Sequence, residues 1–170
     1  KVLAADNDRR PTGETPIHLP LLRQRPDIRG LVHAPAVVLT GFAIAGNDLL
    51  ARPILPEPIL EVGPVATIEY AEPLTDELAQ TFDAALPTHN AFLMRNHGAL
   101  FMAADGCARA LDFLEMTEAM GRSLLVAQQL GAVNELPRAD VENLNRTMKT
   151  RGLPLPGTPG AVTGLADLYF

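Results

Sequence analysis

Residues 13–33 read GETPIHLPLLRQRPDIRGLVH, and this stretch predicts a short helix followed at once by a β-strand. A Thr-Pro pair is typical of a helix start, and Pro26 is typical of a helix end. The apolar residues after Asp27 predict a strand that ends at His33. The pattern therefore places one carboxylate, Glu14, at a helix start and one imidazole at a strand end.

A second imidazole lies far downstream, in the sequence Arg95-Asn96-His97-Gly98. The apolar runs 90–94 and 99–102 on either side of it predict two strands, or one strand with a bulge. Binding and catalytic side chains concentrate at such junctions, where the chain leaves regular structure. Imidazole and carboxylate groups also bind divalent cations, among which Zn²⁺ is the commonest choice. Three residues are therefore candidate metal ligands: Glu14, His33 and His97.

Each of these candidates also has a purely structural interpretation. His33 fits a hydrogen-bonded histidine at a strand end, and His97 fits a turn residue beside a glycine that permits positive φ. Glu14 is either a general acid or base, or an acid that the helix macrodipole favours at an N-terminus. The residue pattern alone leaves these alternatives open.

Other titratable side chains are assigned structural roles. His18, in the predicted first helix, is expected to make a structural hydrogen bond, and His89 is expected to face solvent. Glu115 and Glu118 are expected to pair with Arg122 or to cap neighbouring groups. The sequence contains no phosphate-binding loop, dinucleotide glycine fingerprint or nucleophile elbow, which argues against nucleotide-driven and serine-hydrolase chemistry.

Composition and charge restrict the class of protein. The chain has 170 residues, 47% of them hydrophobic, which suffices for one domain over residues 1–170 with a sizeable core. A net charge of -6 without a basic cluster argues against nucleic acid or an anionic membrane as partner. The single cysteine, Cys107, predicts a small buried side chain in a reducing compartment, the cytoplasm. No apolar run reaches the roughly 20 residues of a membrane span, so we expect a soluble protein.

Helical and strand patterns alternate along the rest of the chain. This alternation predicts an α/β class in which helices cover a sheet of mixed direction. The chain begins as if a strand were already in progress, so we expect preceding residues to be missing. The predicted elements are a strand over 1–5, a buried helix over 36–45, an irregular connection over 47–64 with at most one helical turn, a strand over 65–70, a helix over 75–86, a long helix from a cap at Asp105 to Gly131, a helix over 136–150 and an extended tail over 152–170.

A set of motifs lies in a recognisable order along the chain: Gly13-Glu14 with His18, RPDIRGLVH over 25–33, GFAIAG over 41–46, LPE over 55–57, VGPV over 62–65, Tyr70 followed by Pro73, and LMRNHGA over 93–99. In this order and spacing they resemble the class II aldolase/adducin family, which contains fuculose-phosphate aldolase. The resemblance runs from about Lys1 to the middle of the predicted long helix. It implies a three-layer α/β/α sandwich with a mainly antiparallel central sheet, a homotetramer with active sites between subunits, and a missing N-terminal segment of several tens of residues.

For aldolases of this family, the resemblance implies a divalent metal, typically Zn²⁺, held by three histidines beside a proton-carrying glutamate. Motif matching gives Glu14 the place of the glutamate and gives His33 and His97 the places of two histidines. The place of the third is taken by Pro35, whose side chain has no donor. Two histidines and one glutamate still form a known kind of zinc site, with Glu14 both as ligand and as proton carrier. Mn²⁺ and Co²⁺ are alternative ions.

The function implied by the resemblance is a metal-dependent lyase that acts on a small molecule in carbohydrate metabolism. The ion acts in that chemistry as a Lewis acid for a sugar phosphate or hydroxycarbonyl compound and stabilises the enediolate formed as a carbon–carbon bond breaks. A related decarboxylase or epimerase is an alternative. A further alternative is a non-catalytic domain that resembles the adducin head and serves assembly and partner binding.

Overall fold

The computed structural model describes residues 11–170, and the strand predicted over residues 1–5 lies outside them. The helices of the described part are α1 (Thr15–Gln24), α2 (Val37–Ala45), α3 (Pro56–Glu61), α4 (Asp76–Gln80), α5 (Cys107–Leu130), α6 (Arg138–Arg151) and α7 (Ala166–Tyr169). Its strands are β1 (Gly30–Ala34), β2 (Val65–Ile68), β3 (Ala91–Met94) and β4 (Gly98–Ala103). None of these helices combines the length and the apolar character that crossing a bilayer demands.

The four strands form one sheet in the order β1-β4-β3-β2. β4 pairs antiparallel with both β1 and β3, whereas β2 pairs parallel with β3. The prediction of a mainly antiparallel sheet is therefore confirmed, with one parallel pairing that makes the sheet mixed. The parallel strands β2 and β3 are joined by a crossover connection that contains α4.

Side chains of the central strands alternate between two hydrophobic cores, because successive residues of a strand point to opposite faces. On β4, Phe101 belongs to the core formed with α2 and α5. Its neighbours Leu100 and Met102 belong to the core formed with α1 and α4. Helices thus cover both faces of the sheet, which confirms the predicted three-layer α/β/α sandwich.

The C-terminal residues 152–170 lie against the surface of the same domain. They pass through several turns and end in α7, and Leu165 is buried in a third hydrophobic cluster with α3 and α6. Gly157 donates a backbone hydrogen bond to Asn90 Oδ1 at 3.2 Å. The segment is therefore folded rather than extended, because its apolar side chains gain free energy by leaving water.

The connection over 47–64 contains more helix than predicted. Leu49–Ala51 forms a 3-10 turn, and α3 follows after a short gap. Proline is expected to exclude helix from this segment, but Pro56 and Pro58 lie in the first turn of α3. Backbone N–H groups of a first turn have no intrahelical partner, so proline loses nothing there. The expectation of at most one helical turn is wrong for this reason.

The helix predicted over 75–86 is shorter than expected and has only five residues. Thr75 caps it as predicted, because its hydroxyl accepts a hydrogen bond from the N–H of Leu78 at 3.3 Å. Thr81 Oγ1 then donates to the Leu78 carbonyl at 2.6 Å, and tighter turns replace the regular helix. The later apolar residues of the segment are nevertheless buried against the sheet.

The start of α5 differs from the prediction in two ways. The N-cap residue is Gly106 rather than Asp105, and no side chain caps the helix. Gly106 has φ +106°, a left-handed conformation that favours glycine. Cys107 is exposed rather than buried, because it occupies the first turn, where the helix enters from the domain surface.

α2 is a helix as predicted, but only its inner side is buried. Val37 is 82% exposed and Ile44 is 61% exposed, so the prediction of a buried helix is wrong for the outer face. The start of α2 is held by α5, because the carboxylate of Glu118 accepts hydrogen bonds from the N–H groups of Val38 and Leu39, each at 3.0 Å. The expected capping role of Glu118 is thereby confirmed.

Candidate metal centre

Glu14 is the N-cap residue of α1, and its carboxylate makes no capping hydrogen bond. Two threonines hold the backbone of this turn in place. Thr12 Oγ1 accepts from the N–H of Glu14 at 3.2 Å, and Thr15 Oγ1 donates to the Thr12 carbonyl at 2.6 Å. The carboxylate is therefore available to groups outside the helix.

His33 lies on β1, opposite Leu100 of β4. Its Nδ1 is 3.0 Å from the carbonyl oxygen of Ala99. Because a carbonyl oxygen only accepts, Nδ1 carries the proton and the lone pair of the neutral ring is on Nε2. Such a bond to the second ring nitrogen is how a metal-binding histidine is usually oriented.

His97 lies in the turn between β3 and β4. Asn96, just before it, has φ +55°, which asparagine tolerates better than most residues. The N–H of His97 donates to the Met94 carbonyl at 3.0 Å. Gly98 allows close packing on β1, since a Cβ at that position would be only 3.0 Å from the carbonyl oxygen of Ala34. Backbone geometry thus fixes the place of the imidazole.

The structure brings Glu14, His33 and His97 together from three separate elements. One ligand atom of each lies within 4.8 Å of those of the other two. His97 Nε2 is 4.0 Å from Glu14 Oε1, and the rings of His33 and His97 meet edge to face with centroids 4.9 Å apart. Ligand atoms about 2 Å from a zinc ion are roughly 3 to 4 Å apart, so these separations suit groups around one ion.

Burial leaves this cluster with unsatisfied polar atoms. Among residues 11–170, four buried side-chain nitrogen or oxygen atoms have no hydrogen-bond partner, and two of them are Glu14 Oε2 and His97 Nδ1. Such atoms are rare in folded proteins and indicate an ion, a water molecule or a ligand. One carboxylate and two imidazoles are ligand types that divalent ions accept. The residues present therefore fit a divalent metal ion.

The charge state of His97 also suits metal binding. Burial lowers the pKa of His97 below 6.5, and the nearby His33 lowers it further, while Glu14 acts in the opposite direction. The imidazole is therefore neutral at physiological pH. A neutral imidazole is the form that donates a lone pair to a metal ion.

Pro35 is the departure from the three-histidine pattern. It follows β1 directly and lies beside the hairpin, where its Cα is 3.4 Å from the position that a Cβ on Gly98 would take. A proline side chain has no lone pair to offer. The three clustered residues therefore lack an imidazole from this end of β1.

Two other histidines differ from their predicted roles. His18 has a buried Nε2 without a hydrogen-bond partner, so the expected structural bond is absent. Its spacing of four residues from Glu14 is the signal in the sequence that places it near the cluster. His89 is half-buried rather than solvent-facing, because it packs near Phe92, and its Nδ1 lies 3.2 Å from the Ala85 carbonyl.

Fold and site together define a class: a three-layer α/β/α domain with a carboxylate and two histidines gathered at the end of its central sheet. The chain belongs to the class II aldolase and adducin family, since the family model for the Class II Aldolase and Adducin N-terminal domain matches residues 1–125. Class II aldolases of this family use a divalent metal and act on small-molecule substrates.

Individual relatives have different named activities. The chain is 25% identical over 142 residues to the 3-oxo-tetronate 4-phosphate decarboxylase of Haemophilus influenzae, with 79% of this chain and 66% of that protein covered. It is 32% identical over 137 residues to the 3,4-dihydroxyphthalate decarboxylase of Arthrobacter keyseri, with 77% and 54% covered. A solved L-fuculose 1-phosphate aldolase matches with a TM-score of 0.71 and 28% identity, over 84% of this chain and 66% of that one. The chain thus spans about half to two thirds of the length of these relatives.

Proposed function

We propose that this protein is a metal-dependent lyase that breaks or forms a carbon–carbon bond in a small sugar phosphate or hydroxycarbonyl metabolite. The supporting observation is that Glu14, His33 and His97 converge in a chain of the class II aldolase family. The proposed ion is Zn²⁺, because two imidazoles and a carboxylate form a common zinc ligand set. Mn²⁺ and Co²⁺ are the alternatives.

In this proposal each of the three residues has a defined role. When bound, the ion supplies Lewis-acid stabilisation of the negative charge that develops as the bond breaks. His33 offers Nε2, since its Nδ1 is bonded to Ala99, and His97 is kept neutral by burial. Glu14 has two carboxylate oxygens, so it can help to hold the ion and also take up or return a proton.

Decarboxylation is a second candidate, because two of the similar proteins are named decarboxylases. Both reactions break a carbon–carbon bond and leave negative charge that a cation and a proton donor stabilise. The same three residues serve either reaction, so the substrate decides between them. Epimerisation, or a non-catalytic role in assembly, becomes the better proposal only if neither cleavage reaction is observed.

We also propose that copies of this chain associate into a homotetramer, as the family resemblance implies. The exposed apolar outer face of α2 supports association, and a groove of about 380 Å³ runs between α2 and α5, with Gly41 and Leu125 in its lining. Sedimentation velocity is expected to show an assembly larger than a monomer, and Ile44→Glu is expected to shift it toward monomer. Monomeric wild-type protein contradicts this part of the proposal.

The metal content of the protein tests the proposal first. After reconstitution with Zn²⁺ and removal of free ion, elemental analysis is expected to find roughly one ion per chain. His89→Gln, which removes an imidazole outside the cluster, is the matched control and is expected to bind equally. Less than about a tenth of an ion per wild-type chain, with Zn²⁺, Mn²⁺ or Co²⁺, contradicts a metal-dependent function.

Turnover of candidate substrates provides the second test. His97→Ala is expected to abolish cleavage of sugar phosphates or decarboxylation of phosphorylated 3-oxo acids, because it removes one of the groups that hold the ion. Its melting temperature is expected to stay within a few degrees of wild type, since His97 lies in a turn at the end of the sheet rather than in a hydrophobic core. Unaltered turnover in this variant rejects His97 as a functional ligand.

A further inference from the structure

Leu74 has a backbone conformation that leucine rarely adopts. Within residues 11–170, positive φ occurs at two non-glycine residues, Asn96 at +55° and Leu74 at +69°. Asparagine tolerates this left-handed region, whereas a leucine is strained there. Such strain persists only where the surrounding structure enforces it, and it concentrates at functional sites. Asn96 directly precedes His97, so one of the two positions already belongs to the candidate centre.

The side chain of Leu74 lies on the turn that carries Glu14. A Cβ added to Gly13 would be 3.1 Å from Leu74 Cδ2 and 3.8 Å from Leu74 Cδ1. Carbon atoms normally pack about 3.5 to 4.0 Å apart, so Leu74 fits this closely only because residue 13 has no side chain. Gly13 immediately precedes Glu14 in the chain. Leu74 therefore packs on the backbone that leads into the candidate centre.

The loop before α4 enforces the conformation of Leu74. Leu74 remains 56% exposed, so burial gives it only part of the free energy that a core leucine gains. Next to it, Thr75 Oγ1 donates to the Glu72 carbonyl at 2.7 Å. α4 in turn packs on α1, because Leu78 and Ile17 belong to the same hydrophobic core. These contacts fix the loop so that Leu74 faces the start of α1.

The Glu14 carboxylate depends on this turn for its position. Among residues 11–170, its Oε2 has no hydrogen-bond partner, and the carboxylate makes no capping bond to α1. The turn itself is held by Thr12, whose Oγ1 accepts from the Glu14 N–H at 3.2 Å. Groups that hold an ion or move a proton need support from the residues around them. Packing by Leu74 supplies a second restraint on the turn.

We propose that Leu74 is a positioning residue, which braces the Gly13–Glu14 turn and holds the Glu14 carboxylate toward His33 and His97. This role rests on the proposed function, because it assumes that the three clustered residues bind a divalent ion. It also explains why a half-exposed leucine keeps a strained backbone: the contact with Gly13 serves the site rather than the core.

Leu74→Gly is the first test, because glycine adopts positive φ freely and lacks the side chain. Relief of strain offsets the lost contact, so the melting temperature is expected to stay within a few degrees of wild type. Zn²⁺ affinity, measured by competition with a chromophoric chelator, is expected to fall about tenfold, the lower end of the effect of losing a group that orients a metal ligand. The visible absorption of the Co²⁺-loaded protein is expected to change as well. Leu111→Ala, which removes a leucine of similar exposure from α5, is the matched control and is expected to leave both measurements unchanged.

Gly13→Ala tests the same contact from the other side. Gly13 lies outside the left-handed region, so alanine suits its backbone, but the new methyl group would lie 3.1 Å from Leu74 Cδ2 and displace that side chain. This variant is also expected to weaken Zn²⁺ binding. When Leu74→Gly is already present, the same substitution is expected to change the affinity by less than about twofold, because residues in contact give non-additive effects. A full further loss in the double variant overturns the role, since Leu74 then acts through something other than Gly13.

Two results separate the role of Leu74 from the proposed function. If wild type binds Zn²⁺ and both single variants bind it within about twofold as tightly, Leu74 does not position Glu14 and the proposed function stands. If wild type binds no ion, the proposed function fails, and the role of Leu74 fails with it. Should Leu74→Gly not fold, Gly13→Ala decides alone: weaker binding beyond about twofold supports the role, and binding within that range overturns it.

Discussion

At the scale of single residues, backbone conformation decides which groups reach the centre. Asn96 adopts φ +55° and Gly98 admits the carbonyl of Ala34, so the hairpin turn that carries His97 depends on two residues without catalytic chemistry. The carbonyl oxygen of Ala99 accepts a hydrogen bond from Nδ1 of His33 and in this way orients the imidazole. The candidate site is therefore specified by its neighbours along the chain as much as by Glu14, His33 and His97 themselves.

His89 provides a prediction about pH that is separate from the candidate metal centre. Burial lowers the pKa of His89 below 6.5, and the hydrogen bond to Ala85 opposes this only in part. As pH falls below 6.5, the unfolded chain takes up a proton at this position before the folded chain does. The stability that His89 contributes is thus present above pH 6.5 and is lost as pH falls through its folded pKa.

His89→Gln is expected to reduce the loss of stability between about pH 7.5 and about pH 5.5. Urea denaturation at both values measures this difference for wild type and variant. Equal losses in the two proteins contradict the prediction. The change in stability between the two pH values must be compared between wild type and variant, because His18 and His97 also have lowered pKa values. These two histidines add to the loss of stability in both proteins.

At the scale of elements, one carboxylate from α5 holds the start of α2. Glu118 is mostly buried and accepts two backbone hydrogen bonds there, while Arg122 lies 3.8 Å away on its exposed side. Helix N-termini carry unsatisfied N–H groups and a partial positive charge, so a carboxylate stabilises them. This contact links two helices of the same layer.

Glu118→Ala is expected to lower the free energy of unfolding by about 2–3 kcal/mol, because it leaves two partly buried N–H groups without a partner. Glu115→Ala, which removes an exposed glutamate on the same helix, is the matched control and is expected to change stability by less than about 0.5 kcal/mol. Chemical denaturation measures both. Similar effects of the two substitutions refute a capping role.

Elements whose signals are local were predictable from sequence. The Thr-Pro start of α1, the glycine end of α2 and the glycine turn before β4 each depend on a few adjacent residues. The early end of α4 was not predictable, because Thr81 ends the helix through a hydrogen bond that competes with the helical bonds. The exposure of the outer face of α2 was also not predictable, since hydropathy predicts burial wherever a segment is apolar on all sides.

The meeting of Glu14, His33 and His97 was expected from the resemblance, not from local pattern. The pairing of β1 with β4 brings residues about 66 positions apart into contact, and no short-range rule contains that information. From sequence alone, a structural hydrogen bond is expected for His18, because an isolated helical histidine usually has one. Only the assembled site shows that its partner is missing.

At the scale of the whole molecule, one buried arginine ties the layers together. Arg25 bonds to the carboxylate of Asp27, to the carbonyls of Leu86 and His89, and to Asn90 Oδ1. Asn90 Oδ1 also accepts the bond from the C-terminal segment. The end of α1, the entry to β3 and the tail therefore share one network.

Arg25→Met is expected to lower the free energy of unfolding by about 3–5 kcal/mol, because it leaves Asp27 and the carbonyls without their cation. That is a large part of the roughly 5–15 kcal/mol that stabilises a typical domain. Arg23→Met, on the exposed side of the same helix, is the control and is expected to cost less than about 0.5 kcal/mol. Equal unfolding curves for the two variants reject the network as a source of stability.

The antiparallel pairing of β1 with β4 has a consequence for biosynthesis. His33 and His97 are 64 residues apart in the sequence. A ribosome that adds about 5 to 20 residues per second leaves about 3 to 13 seconds between the two histidines. During that interval the first imidazole is made without its partner strand, so the two imidazoles of a newly synthesised chain can meet only after the hairpin has emerged and docked.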